Sequence, residues 1–433
     1  MKRNLLFILF LIVAAKCEAQ NWEPLGGGVK SSLPGIVSIA PVEFAIDTFH
    51  NYLWVAAPFD TAGGMEAHNL AIWTGTQWKR LPVEPEAPSS IVMKKDTLVF
   101  VEGSSTEHHV LLYVDTVNVG TLGDLGNVFC LYVFNDTIYA GGEFNYGIKY
   151  WNGSSWKKVG GGVSGPEMQV QTISSYNGQL IVAGHFDLAG SVPVNNIASW
   201  DGSQWHSLGG GIFGPDFPIV YSLQEFNGEL FTGGSFDSAG AIHSPDFAKW
   251  NGANWDTIAT YMGQYGCGIV YDLFANDDKL YACGLITGDV GCMGWGAAEF
   301  DGNAWHDLSV THSGYTWSIT VFNGDIIIGT SFDHTSTSDT IDYVGKYIGS
   351  IPTPVEDVPA LSIFISPNPT STSIQIHLPS NQQTTLSIFN PLGEKVREEK
   401  ISGEDVTIDV SDLPQGVYVV RTEKEVIGKF VKE

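Results

Sequence analysis

The chain has 433 residues, 43% of them hydrophobic, and a formal charge of −26. That charge repels nucleic-acid phosphates and anionic lipid, so nucleic acid is not an expected partner; cations, neutral glycans and basic proteins stay open. With 50 Gly, 13 Trp, 16 Tyr and 23 Phe, the composition is that of strands and turns.

Residues 1–19 read as a secretory signal. Lys2 and Arg3 precede an apolar run over residues 5–15, and small residues before Ala19 set cleavage between Ala19 and Gln20. Eleven apolar residues are too few to span a bilayer, and no transmembrane segment is expected later. The mature chain is therefore read as exported.

Residues 197–211, IASWDGSQWHSLGGG, are the unit that repeats. An apolar strand ends at Trp200, Asp201-Gly202 makes a tight turn, and a second strand runs from Trp205 to three glycines. The same pattern returns at Trp73-Thr74-Gly75, Trp151-Asn152-Gly153, Trp250-Asn251-Gly252 and Phe300-Asp301-Gly302. Each is followed by a second Trp: Trp78, Trp156, Trp255 and Trp305. Trp156 to Trp205 is 49 residues, and the next two intervals are 50 each. Upstream of each hairpin lie two more strands, such as residues 170–178 and 180–184. Four strands with a period near 50 predict radial four-stranded sheets.

The 78 residues between Trp78 and Trp156 fit two short units. Residues 92–95, 98–101, 110–114 and 117–122 supply the strands of a copy that lacks the tryptophans. The last unit ends after a third strand at residues 342–349. Residues 21–28 read as a fourth strand with no unit before it. The prediction is an all-β fold: a seven-bladed β-propeller over residues 20–350, closed by its N-terminal strand, which removes an exposed edge. A proline-bearing linker at 351–360 leads to a small C-terminal β-sandwich at 361–433, with strands at 362–365, 373–378, 384–389, 406–410, 416–422 and 426–431.

Paired glycines after strand two, an aromatic on strand three and a Trp on strand four resemble kelch-like propeller repeats. Over residues 21–350 the chain looks more like the Gly- and Trp-rich repeats of bacterial surface proteins. The resemblance implies a fold rather than an activity. It lacks the copper-binding Tyr and His set of galactose-oxidase-type enzymes and the Asp box of sialidases.

The C-terminal module resembles the type A sorting domain of the type IX secretion system. The matching text is Ser366-Pro367-Asn368-Pro369, then Ile388-Phe389-Asn390-Pro391-Leu392-Gly393, then Leu413-Pro414-Gln415-Gly416-Val417-Tyr418, and a basic last strand with Lys429 and Lys432. The resemblance implies export from a Bacteroidetes-type Gram-negative cell by way of the periplasm. It also implies recognition by the secretion machinery and its sorting protease, then release or attachment to surface lipopolysaccharide.

Phe59-Asp60, Phe186-Asp187 and Phe236-Asp237 follow strand two in three units. Asp60, Asp187 and Asp237 are weak Ca²⁺ candidates, because each stands alone without the dense oxygens calcium needs. A side chain folded onto its own loop is the plainer reading. The repeated Trp residues are read as packing between blades rather than as sugar platforms. Adjacent His108 and His109 face opposite sides of a strand and make a poor chelate. Export permits disulfides. Aligning the units places Cys267 and Cys292 in loops on one face, so that pair is favoured and Cys267–Cys283 is second; Cys130 is read as a buried thiol. No catalytic set and no cofactor are expected. The leading reading is a secreted or surface-anchored protein that binds a glycan or protein ligand. The alternatives are a hydrolytic enzyme using acids in the propeller funnel and a structural surface-layer protein.

Overall fold

The structure is a computed structural model. It describes residues 21–31, 42–82, 85–86, 88–104, 107–214, 217–258, 268–285, 296–308, 315–333, 340–349, 365–366, 369–377, 384–390, 395–401, 405–422 and 426–432. The signal junction at Ala19 and Gln20, the linker at 351–360, and Cys267, Cys292, Pro367, Asn368 and Gly393 lie outside the described residues. The chain divides into two compact units, Met1–Ile351 and Pro352–Glu433.

Among its described residues the first unit contains seven four-stranded antiparallel sheets. We number them in the order of their first strands: Glu43–Asp47, Pro88–Lys94, Asn127–Phe134, Gln169–Tyr176, Ile219–Phe226, Ile269–Asn276 and Thr316–Phe322. Sheet 4 shows the common plan. Gln169–Tyr176 pairs with Gln179–His185, which pairs with Ile197–Trp200, which pairs with Trp205–Ser207. Sheet 2 is the copy without tryptophan, built from Pro88–Lys94, Thr97–Ser104, Glu107–Val114 and Val117–Asp124.

Second strands are apolar without alternation because both their faces are covered. Leu180, Ile181, Val182 and Ala183 are all buried, as are Leu98, Val99, Phe100 and Val101. The cores lie between sheets. Ile181, Ala183 and Ile197 of sheet 4 pack with Val220, Leu223 and Trp250 of sheet 5. Val55, Ala71 and Trp73 of sheet 1 pack with Phe322, Ile327 and Val344 of sheet 7. Each first strand lies against the first strand of the next sheet, and Thr316–Phe322 lies against Glu43–Asp47.

Sheet 7 takes its fourth strand from the far end of the unit. Trp22–Pro24 pairs with Val344–Tyr347, with Trp22 opposite Tyr347 and Glu23 opposite Lys346. Trp22 is fully buried, and its Nε1 donates to the Leu308 carbonyl oxygen at 2.8 Å. Lys346 Nζ reaches Glu23 Oε1 at 3.0 Å.

The turns differ from expectation in one respect. The two-residue turns with left-handed φ at both positions join strands one and two, at Asn177-Gly178 (φ 49° and 74°) and Asn227-Gly228 (50° and 76°). The Asp-Gly hairpins have four-residue loops. Asp201 works there through its side chain: Oδ1 accepts from the backbone N–H of Ser203 at 2.7 Å and of Gln204 at 2.8 Å.

The second unit has a three-stranded sheet, Ile365–Ser366, Ser373–His377 and Asp405–Asp409, and a four-stranded one, ordered Lys395–Ile401, Thr384–Phe389, Gly416–Thr422, Val426–Lys432. Ile374, Ile376, Leu386, Ile388 and Phe430 form its core. Tyr418 stacks on Phe430, ring centroids 5.4 Å apart, and its hydroxyl donates to the Pro414 carbonyl oxygen at 2.8 Å. Lys432 is buried, and Lys429 belongs to the same last strand. Lys395–Ile401 was not expected as a strand. It is an edge strand rich in charge, and charge on an edge hinders pairing with other chains.

Candidate functional site

The first strands of all seven sheets line one cavity of about 360 Å³. Its wall is shaped by a repeated irregularity. A bulge interrupts the pairing of strands one and two between Val128 and Cys130, Val170 and Thr172, Val220 and Ser222, Val270 and Asp272, and Thr316 and Ser318. The extra residue at each is Phe129, Gln171, Tyr221, Tyr271 or Trp317, and all five line the cavity. A bulge bends the strand and re-aims a side chain, so the same backbone device presents a different side chain from each sheet.

The aromatic residues form a continuous cluster across sheets 5, 6 and 7. Tyr271 stands 5.4 Å from Tyr221 and 4.9 Å from Trp317 between ring centroids. Tyr315 stacks on Trp317 at 4.6 Å with planes 21° apart. The indole N–H of Trp317 is buried without a hydrogen-bond partner among the described residues.

The residue after the bulge ties sheets together. Ser90 Oγ accepts from the Leu131 N–H at 3.1 Å, and Ser222 Oγ from the Leu273 N–H at 3.0 Å. Asp272 Oδ2 accepts from the Ile319 N–H at 3.0 Å, while its Oδ1 accepts from the Leu273 N–H at 2.8 Å. Each of these backbone donors but the last belongs to the next sheet.

Two carboxyl groups line the cavity, Glu43 and Asp272, and none of its lining residues is Lys, Arg or His. Burial pushes Glu43 up to about 8, and the nearby charge of Asp272 adds to the shift. Burial pushes Asp272 up to about 7, opposed by its hydrogen bonds from Ile319 and Leu273. Cys130, expected as a buried thiol, is half-buried and lines the same cavity. Burial lifts it to about 12, so it is no thiolate nucleophile near neutral pH. Cys130 and Cys283 carry free thiols.

The sequence candidates lie elsewhere. Asp60, Asp187 and Asp237 begin short hairpins that add a small three-stranded sheet beside sheets 1, 4 and 5, such as Leu188–Ala189 paired with Val163–Ser164 and Val192–Pro193. Each Asp is held through its backbone: the N–H groups of Asp60, Asp187 and Asp237 donate to Lys30, Ser164 and Phe213. In sheets 4 and 5 a downstream residue does the side-chain work. Asn196 Oδ1 accepts from Phe186 N–H at 3.2 Å, and Asp246 Oδ1 from Phe236 N–H at 3.4 Å. Among the described residues no group of three or more His, Cys, Asp or Glu is placed to hold a metal ion. His108 is buried with Nδ1 2.7 Å from the Gly126 oxygen, whereas His109 is half-buried and pairs with Asp124.

Tyr221, Tyr271 and Trp317 were not singled out from the sequence. Their signal is a triplet at one repeat position: Val-Phe-Cys, Val-Gln-Thr, Val-Tyr-Ser, Val-Tyr-Asp and Thr-Trp-Ser, ending at residues 130, 172, 222, 272 and 318.

Residues 364–433 match the family described as secretion system C-terminal sorting domain. The C-terminal module is a type IX sorting domain. Such a domain directs export across the outer membrane, so the sorting-domain protein reaches the cell surface or the medium. No curated protein matches the chain. Among solved structures, the WD40 β-propeller domain of Doa1 is 15% identical, with 76% of this chain and 97% of that one covered and a TM-score of 0.48. The β-propeller domain of the Trilobed protease from Pyrococcus furiosus is 9% identical, over 72% and 94%, with a TM-score of 0.46. PorZ, a surface component of the type IX secretion system of Porphyromonas gingivalis, is 13% identical, over 91% and 66%, with a TM-score of 0.30. The first unit is an all-β set of four-stranded antiparallel sheets.

Proposed function

We propose that the protein is a non-enzymatic binding propeller carried outside the cell by its sorting domain, with the central cavity as its ligand site. The carrying observation is the cavity itself: seven first strands converge on it, and four of the five bulged positions place an aromatic ring in its wall. Ligand sites are concave and largely apolar, with a few placed polar groups. The cavity pairs no nucleophile with a base. Its thiol is held protonated, and both oxygens of Asp272 are occupied by backbone N–H groups. The ligand is a glycan or a protein segment.

The seven sheets are read as seven blades of one ring, closed by Trp22–Pro24. The cyclic order of neighbouring first strands, from Thr316–Phe322 back to Glu43–Asp47, supports this. In the full reading residues 1–19 are removed on export and residues 361–433 after it, leaving the propeller released or attached to surface lipopolysaccharide.

The test is a binding screen of the secreted protein against polysaccharides and peptides, run beside turnover assays, with wild type and Tyr271→Ala. A ligand held by wild type and weakened by the variant is expected. Turnover of a substrate that Glu43→Gln abolishes would instead make the protein a hydrolase.

A further inference from the structure

We propose that the cavity takes an organic ammonium group, held by Glu43 and Asp272 and by the faces of Tyr221, Tyr271 and Trp317. This deepens the reading of the cavity as the binding site and rests on it.

The argument starts from charge. Two carboxyl groups, Glu43 and Asp272, line one cavity; burial, and after it the charge of Asp272, disfavours ionisation of Glu43. No Lys, Arg or His lines that space, so the protein supplies no counter-charge there. A neutral ligand would leave Glu43 largely protonated near neutral pH. A cation lowers both values and draws both groups to their ionised form.

The rings decide what kind of cation. A metal ion such as Ca²⁺ takes six to eight oxygens, roughly. Here only two carboxyl groups are present, and both oxygens of Asp272 already accept backbone N–H groups. The same wall holds the cluster of Tyr221, Tyr271 and Trp317, and ammonium groups are attracted to the negative faces of Tyr and Trp. Glu43 is the carboxyl group left to make the direct contact.

The cavity volume of about 360 Å³ suits a body of side-chain or monosaccharide size. An ammonium group on a body of that size occurs in an amino sugar and in a lysine residue of a peptide. The shared chemistry is the ammonium group.

The experiment is isothermal titration of the purified protein with two amines and their acetylated forms. Glucosamine is set against N-acetylglucosamine, and Nα-acetyl-lysine amide against its doubly acetylated counterpart. The expected result is that at least one amine binds about tenfold or more tightly than its acetylated form, and that Glu43→Gln removes the difference. Which amine binds separates the sugar source from the peptide source. Glu43→Gln keeps the size of a side chain that is largely neutral in the free protein and should fold, as a thermal melt would show; Tyr271→Ala is the second variant and should weaken the amine alone. Binding of the acetylated forms as tightly as the amines, unchanged in Glu43→Gln, would overturn the ammonium assignment while leaving the cavity a binding site. Failure of both amines at millimolar concentration would overturn it too. So would Ca²⁺ binding that Glu43→Gln abolishes. Loss of every ligand found in the wider screen would sink the binding reading itself.

Discussion

The indole N–H of Trp205 donates to the carbonyl oxygen of Gly160, 3.1 Å away and 45 residues earlier in the chain. The bond joins the outer strand of sheet 4 to the segment leaving sheet 3. Trp255 does the same to Leu208 at 3.0 Å, Trp78 to Leu25 at 3.1 Å and Trp156 to Leu122 at 2.9 Å. The repeated tryptophan is thus a connector between successive sheets as well as packing. Trp205→Phe keeps most of the ring and loses the bond, and should cost about 1 kcal/mol in urea denaturation. Trp205→Ala should cost about 3–5 kcal/mol. Gly160→Ala should also destabilise, by more than about 1 kcal/mol. Gly160 has φ 50°, and a Cβ there would stand 2.2 Å from Trp200 Cζ3.

Removal of residues 20–28 should uncover the edge of Val344–Tyr347, which pairs with Trp22–Pro24 in the intact chain. The expected outcome is a lower melting temperature and concentration-dependent association in size-exclusion chromatography. Trp22→Ala alone should cost about 3–5 kcal/mol, since the ring is fully buried. A truncated chain that melts with wild type would show that this strand carries little of the stability.

Glu43 and Asp272 give the folded chain a defined response to pH. Their values in the folded protein, about 8 and about 7, lie above the ordinary 4.5 and 3.8. Between these limits the folded chain holds protons that the unfolded chain has released. Stability from this pair is therefore complete below about pH 4 and is lost as pH rises through about 7 to 8. Asp246, lifted by burial to about 7, acts in the same direction. Glu43→Gln should flatten the fall in urea midpoint between about pH 5 and about pH 9. An unchanged slope would place the titrating groups elsewhere.

Deletion of residues 361–433 should leave a first unit that folds, because each unit is compact and the first has its own cores. That protein should stop in the periplasm of a type IX-competent host. The full-length protein should reach the surface or medium, with mature C-termini near residues 350–365. Fractionation and blotting separate the outcomes. Wild-type levels of truncated protein outside the cell would reassign the C-terminal sandwich to another role.

Native thiol labelling should find Cys283 unreactive, because it is free but fully buried, and Cys130 slow, because its thiol stays protonated. Non-reducing peptide mapping should link Cys267 to Cys292. A bridge that includes Cys130 would contradict the assignment of Cys130 to sheet 3.

The sheets were legible in the sequence because Trp, Asp-Gly and the glycine runs recur at a fixed interval, and even the tryptophan-free strands of sheet 2 fell where apolar runs placed them. The cavity wall was not. Tyr221, Tyr271 and Trp317 look like ordinary members of alternating strands, and period-two reasoning cannot tell which of them faces the centre. One inserted residue shifts the alternation locally, and bulges leave only a faint mark in a single sequence. Lys395–Ile401 was missed for a different reason: its lysines and glutamates contradict the apolar pattern by which strands are read. Glu43 was passed over because one acid among many carries no positional signal until the fold encloses it.

The pairing of Trp22 with Tyr347 also sets a schedule. Trp22 leaves the ribosome well before its bond partner Leu308, which follows 286 residues later. Its strand partner is later still, next to the sorting domain in the chain. Long-range pairings form slowly, because the chain between them must be ordered first. Until then the last sheet has an open edge and a large indole has no place to go. A nascent chain therefore cannot finish this unit early: its completion waits for the very stretch that introduces the export address.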